Sequence, residues 1–131
     1  MNLSLMVLVM FERGGVYLAN LNPNKGSEPG KTRPVIVFQA NALNEVSHPT
    51  VIVLPLTSKL INQTYPLRFR LLAKGNLEKD SDVLCDQLRA ISLSRLQSTK
   101  LLQLTSIQLI AIEEQVGHIL DFKASNYSHS L

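Results

Sequence analysis

Short apolar runs separated by breaks rich in Gly, Pro and Asn pattern the chain as far as residue 104, and only after Thr105 does helical spacing take over. Val16 to Leu21 follows the Gly14-Gly15 bend and is rich in strand formers, so it reads as a first strand. Asn22-Pro23-Asn24-Lys25-Gly26 breaks it and opens a long loop through Pro34. Residues 33 to 39 form a second strand around the buried-type run Val35-Ile36-Val37-Phe38. A polar connection over 41 to 49 leads to a third strand, Thr50 to Leu56, whose nearly continuous apolar character makes it central. Thr57 and Ser58 emerge where that strand leaves the core.

Pro66 to Leu72 alternates Leu67, Phe69 and Leu71 against Arg68 and Arg70, a half-exposed strand. Its two arginines share a solvated face that either blunts a sheet edge or lines a phosphate path. After a turn region from Lys74 to Asp82, the stretch Asp82 to Ile91 reads as a strand interrupted by Asp86, Gln87 and Arg89. A carboxylate inside an apolar strand needs a partner or a cleft, and Arg89 is the expected partner of Asp86. Ser92 to Leu96 makes one helical turn. Thr105 with Gln108 spells a capping box, and Leu109, Ile112, Val116, Ile119 and Leu120 follow as one apolar stripe. The tail from Lys123 to Leu131 is polar. Short strands without crossover helices, then one C-terminal helix, predict a small antiparallel barrel or strongly curved sheet with a helix packed on it.

The chain has 131 residues, 45% hydrophobic and only 18% charged, which excludes a disordered polymer and fits a single domain. Met1 to Phe11 is apolar but too short to span a bilayer and lacks the features of a secretory signal. Translation from Met10, or an extra edge strand, accounts for it; residues 12 to 121 are expected to hold the barrel and helix. A net charge of +3 permits a polyanionic partner without requiring one. Cys85 is the single cysteine, which fits a reducing cytoplasm, and His48, His118 and His129 lie far apart. No metal or cofactor motif is visible, so chemistry is expected to run on side chains alone.

The candidate for that chemistry is Arg33, set where a Gly- and Pro-rich loop enters a strand and held extended by Pro34. The loop could carry Glu28 and Lys31 over it. A surface ion pair is the simpler alternative for Arg33.

Several blocks of the sequence, in order, resemble one family. Arg13-Gly14 before Val16 to Pro23, then Gly26-Ser27-Glu28, Arg33-Pro34-Val35, Pro55-Leu56-Thr57-Ser58 and Asp80 to Arg89 are similar to the MazF/PemK family of toxin endoribonucleases. The resemblance implies an SH3-like antiparallel barrel of the CcdB/PemK type with a C-terminal helix. It further implies a cytoplasmic homodimer whose RNA groove crosses the subunit interface, metal-independent cleavage of single-stranded RNA, and a cognate antitoxin that fills the groove. DNA would be met only through an antitoxin complex, and no membrane is involved. By position, Arg33 and Thr57 match the family's catalytic arginine and threonine, and Glu28 an acidic loop residue. Asp86 and Gln87 match its Asp-Gln pair, and Ser27, Lys31 and Ser58 are expected to touch RNA with them. Either Glu28, which is preferred, or Asp86 would remove the 2′-OH proton. Departures are Ser27 for a His, Leu84 for a basic residue, and Gly15 where the family usually has Asp or Glu, a loss that could weaken activity or alter base recognition. A non-catalytic nucleic-acid-binding barrel and a CcdB-type gyrase poison are the alternatives. The latter acts through a terminal Trp-Gly-Ile, whereas this chain ends Tyr127-Ser128-His129-Ser130-Leu131.

Overall fold

The computed structural model describes residues 11–22, 26, 31–46 and 48–123. Ser27, Glu28, the segment 1–10 and the tail beyond Lys123 lie outside the described residues. Strands β1 (Gly15–Asn20), β2 (Thr32–Val37) and β3 (Thr50–Thr57) form an antiparallel centre, with β2 in the middle. Strand β7 (Leu96–Gln103) joins at the outer edge of β1. On the other side of β3 run β5 (Ser81–Leu84) and β6 (Arg89–Ser92), and β4 (Arg68–Leu71) pairs with β5. The short helix α1 (Asn41–Asn44) occupies the expected polar connection, and the 3-10 turn Leu93–Arg95 the expected helical turn.

Alternation along the three central strands builds two cores from one layer. Val16, Ile36, Leu54 and Leu56 point to one face, where Leu71, Val83 and Ile112 and Val116 of the C-terminal helix cover them. Tyr17, Ala19, Val35, Val37, Val51 and Val53 point to the other, closed by Phe11, Ile91 and Leu96. Burial on both faces is why these strands read as continuous apolar runs. The sheet is coiled but does not close through strand pairing. Asn76 N–H donates to Leu101 O at 2.9 Å, tying the turn after β4 to β7.

Helix α2 (Ser106–Ile119) begins with the predicted capping box: Thr105 Oγ1 accepts from Gln108 N–H, and Gln108 Oε1 accepts from Thr105 N–H. Ile112 and Val116 are buried and Leu109 and Ile119 pack beside them, whereas Leu120, past the last helical residue, is exposed. Gln115 Nε2 donates to the carbonyls of Pro66 and Arg68, so the helix satisfies the chain entering edge strand β4.

Two expectations change. The stretch 82–91 is not one strand: β5 and β6 lie along the same edge of β3 with residues 85 to 88 linking them, Cys85 still buried and Asp86 and Leu88 exposed. Asp86 is exposed on that turn and forms no ion pair with Arg89; the buried carboxylate is Asp82, and its partners are Arg68 and Arg70. Arg68 and Arg70 are therefore committed to a protein carboxylate.

Candidate active site

The last β2–β3 pair is Val35 with Pro55. Beyond it the strands part: Arg33 stays paired to Ala19 of β1, while Thr57 pairs with Asp82 of β5. Arg33 and Thr57 each stand two residues past that last pair, so both project on its face, across a mouth opened by the divergence of their strands. Thr57 Oγ1 accepts from Lys59 N–H at 3.2 Å, which leaves its hydroxyl proton for another acceptor. The residue is only 9% exposed.

Arg33 is half-buried and also lines a cleft of ≈ 500 Å³ behind the mouth. The opposite-parity row Leu18, Pro34, Leu56 and Ser58 lines it too, with Leu77 and Leu101 beside them. Its polar rim is Lys31, Asn76, Glu78 and Lys79. Lys31 has a left-handed backbone with φ 63°, costing on the order of 1 kcal/mol for a residue with a Cβ. It is held there because Lys31 N–H donates to Asn22 Oδ1 and Lys31 O accepts from Leu21 N–H. Arg95 donates to the carbonyls of Asn20 and Asn22, closing the neck of the same loop.

The structure thus gathers Arg33, Thr57, Ser58 and Lys31 around one end of β2 and β3. It does not bring Asp86 or Gln87 there: both lie on the turn at the far edge of β3. Gln87 Oε1 is buried without a hydrogen-bond partner. Asn76, Glu78 and Lys79 fall in the turn region from Lys74 to Asp82, where the charged run Glu78-Lys79-Asp80 is the only mark of a site. Among the described residues no three His, Cys, Asp or Glu side chains converge as a metal site.

The strand end bearing Thr57 is supported from beneath. Asp82, 1% exposed, accepts from Arg70 Nε at 2.5 Å, Ile61 N–H at 2.9 Å and Arg68 Nη1 at 3.1 Å. The same guanidinium groups donate to Lys59 O, Ile61 O and Asn62 Oδ1. One buried carboxylate therefore pins the chain immediately after Ser58. Burial opposes its charge, but the hydrogen bonds from Arg70, Ile61 and Arg68 outweigh that and hold its carboxyl below the usual range. Cys85 lies in the core; burial, reinforced by the Asp86 charge, pushes its thiol up to about 12. That keeps it un-ionised and unreactive.

Gly15 has a local explanation. A Cβ there would meet the Tyr17 ring at 2.7 Å and its hydroxyl at 2.9 Å. Tyr17 is buried edge-on against Phe11, and its hydroxyl accepts from Glu12 N–H. The tyrosine occupies the space that a larger residue in place of this glycine would need. Arg13 is also structural: it pairs with Glu113 of α2 at 2.7 Å, donates to Phe38 O, and stacks on the Phe38 ring.

A family of PemK-like, MazF-like toxins of type II toxin-antitoxin systems matches residues 12–120. An endoribonuclease MazF of Staphylococcus epidermidis is 35% identical over 121 residues, spanning 92% of this chain and 98% of its own. Another from Staphylococcus saprophyticus is 40% identical over 89 residues, 67% of this chain and 73% of its own. MazF from Deinococcus radiodurans superimposes with a TM-score of 0.72 at 24% identity, over 86% of this chain and 98% of that one. A mycobacterial endoribonuclease solved with its cognate antitoxin gives a TM-score of 0.68 at 19% identity, over 88% and 99%. The chain belongs to the PemK-like, MazF-like toxin family.

Proposed function

We propose that this family member is the toxin of a toxin-antitoxin system and acts as an endoribonuclease on single-stranded RNA, with Arg33 and Thr57 as its phosphate-binding catalytic pair. The observation that carries the reading is their placement on one face of the β2–β3 mouth, with Lys31 and Ser58 beside them. RNA supplies its own nucleophile: the ribose 2′-oxygen attacks the adjacent phosphorus, the bond to the 5′-oxygen breaks, and the products are a 2′,3′-cyclic phosphate and a 5′-OH end. Negative charge builds on the phosphorane oxygens. A guanidinium can hold two of them at once, and the Thr57 hydroxyl donates to the same group. The 2′-OH proton passes to a carboxylate, Glu28 in this reading with Asp86 as the alternative. Arginine is a poor acid at neutral pH, so the leaving 5′-oxygen takes its proton either from water or through Arg33 only as the transition state forms.

The reading includes a cytoplasmic homodimer with a groove across its interface, where Ser27, Asp86 and Gln87 would meet RNA away from the cleft. It also includes inhibition by a cognate antitoxin; the mycobacterial endoribonuclease of like fold was solved in complex with its own. Exposed Leu60, Ile61, Tyr65 and Phe122 offer apolar surface for such partners. Among the described residues no helix is long and apolar enough to cross a membrane.

Incubation with a long single-stranded RNA in EDTA, followed by end mapping, tests the activity. Arg33→Ala is expected to lose about 10²-fold or more in rate while remaining folded. Near-normal cleavage by that folded variant rejects the assignment.

A further inference from the structure

We infer that the cleft behind Arg33 is a nucleotide subsite, in which Glu78 reads an amino group on the base flanking the scissile phosphate and Lys79 binds the next phosphate. The inference rests on the RNA-cleaving function proposed above and adds residues on the turn after β4 to it.

The cleft has the make-up a single unstacked nucleotide needs. Its ≈ 500 Å³ is walled by the partly exposed Leu18, Pro34 and Leu101, with buried Leu56 and Leu77 beneath them, apolar surface for a base in a chain that has no Trp. Lys31, Lys79 and Arg33 all line it, which puts the cleft next to a phosphate held at Arg33 and within reach of the nucleotide beside that phosphate. Glu78 is the only carboxylate lining it among the described residues. No ion pair among the described residues engages Glu78, Lys31 or Lys79. The cation excess holds the polyanion, and the carboxylate facing it can accept only from a donor.

Adenine, cytosine and guanine carry an exocyclic amine that can donate to a carboxylate; uracil offers carbonyl oxygens in its place. Glu78 therefore disfavours uracil at that position. The turn is fixed well enough to discriminate: Asn76 N–H is bonded to Leu101 O, Lys74 and Leu77 bridge, and Ser81 Oγ donates to Lys79 O.

The test compares the intact protein with Glu78→Ala, Lys79→Ala and, as a charge-matched control, Lys123→Ala past the end of α2. All four cut a long RNA of mixed sequence, and binding is measured on an RNA made uncleavable by 2′-deoxy substitution. The unsubstituted protein is expected to avoid uracil at one position flanking the cut, and Glu78→Ala to reduce that discrimination by about tenfold. Lys79→Ala is expected to weaken binding and flatten the dependence of log affinity on log salt by about 0.7, which Lys123→Ala does not do. Uracil accepted equally at every flanking position by the unsubstituted protein, or cut sites and affinities unchanged in both cleft variants, overturns the inference. Absence of any RNA cleavage by the unsubstituted protein overturns the function proposed above instead.

Discussion

Glu78 and Asp82 belong to the same hairpin, each close to two cations, and the fold uses them in opposite ways. Asp82 points inward from β5, is 1% exposed, and takes hydrogen bonds from Arg68, Arg70 and the Ile61 N–H. Glu78 stands in the turn before it, on the rim of a cleft shared with Lys31 and Lys79, and is bonded to none of them. Water solvates the second set; in the first it reaches the outer sides of Arg68 and Arg70 but not Asp82. A buried carboxylate survives only if protein donors replace its hydration, so Asp82 and its arginines are consumed in holding the chain after Ser58. Charges left in water keep their donors and acceptors for a ligand.

The strongest way to break the contrast is to remove each carboxylate in turn. Asp82→Ala leaves the Ile61 N–H and two partly exposed guanidinium groups without their acceptor, and is expected to lower the free energy of unfolding by about 2 kcal/mol, less than a fully buried pair would cost because both arginines can turn to water. Urea denaturation reads this directly, and a loss below about 1 kcal/mol would mean that the cluster is solvated in spite of its burial. Acid sharpens the same point. Because the folded-state pKa of Asp82 is lowered, its stabilisation is fully present above the unfolded-state value of about 4 and is lost as pH falls through the folded value. Unfolding midpoints measured between neutral pH and pH ~3 should therefore drop less for Asp82→Ala than for the parent protein.

A third carboxylate, introduced where the backbone is already crowded, gives an intermediate effect. Gly15→Asp restores the residue type usual in the family but drives its Cβ into Tyr17, and is expected to cost about 1–3 kcal/mol in thermal or chemical unfolding. A Gly15→Asp protein as stable as the parent would show that Tyr17 yields freely. Smallest of all, Glu78→Ala should shift stability by less than about 0.5 kcal/mol, whatever it does to RNA cleavage.

Much of this was legible in the chain. Buried-type apolar runs marked β1, β2 and β3, and Thr105 with Gln108 marked the start of α2, because local chemistry decides those features. Strand β7 escaped notice: Gln97, Ser98 and Thr99 are exposed and polar, and its place is set by pairing with β1 rather than by its own pattern. Asp86 looked like the buried acid because it interrupts an apolar stretch, but the chain turns outward there and Asp82, four residues earlier, takes the interior.

Sequence by itself determined the strand-rich class, the capped helix, the family, and the blocks holding Arg33 and Thr57, since each is written in residues adjacent along the chain. Only the tertiary structure decided that β2 and β3 part after Val35 and Pro55, that the turn after β4 supplies Lys79 and Glu78 to the cleft, and that Arg68 and Arg70 turn inward to Asp82. Those outcomes depend on which strand edges meet and which charges lose their water, and neither quantity is local to a stretch of sequence.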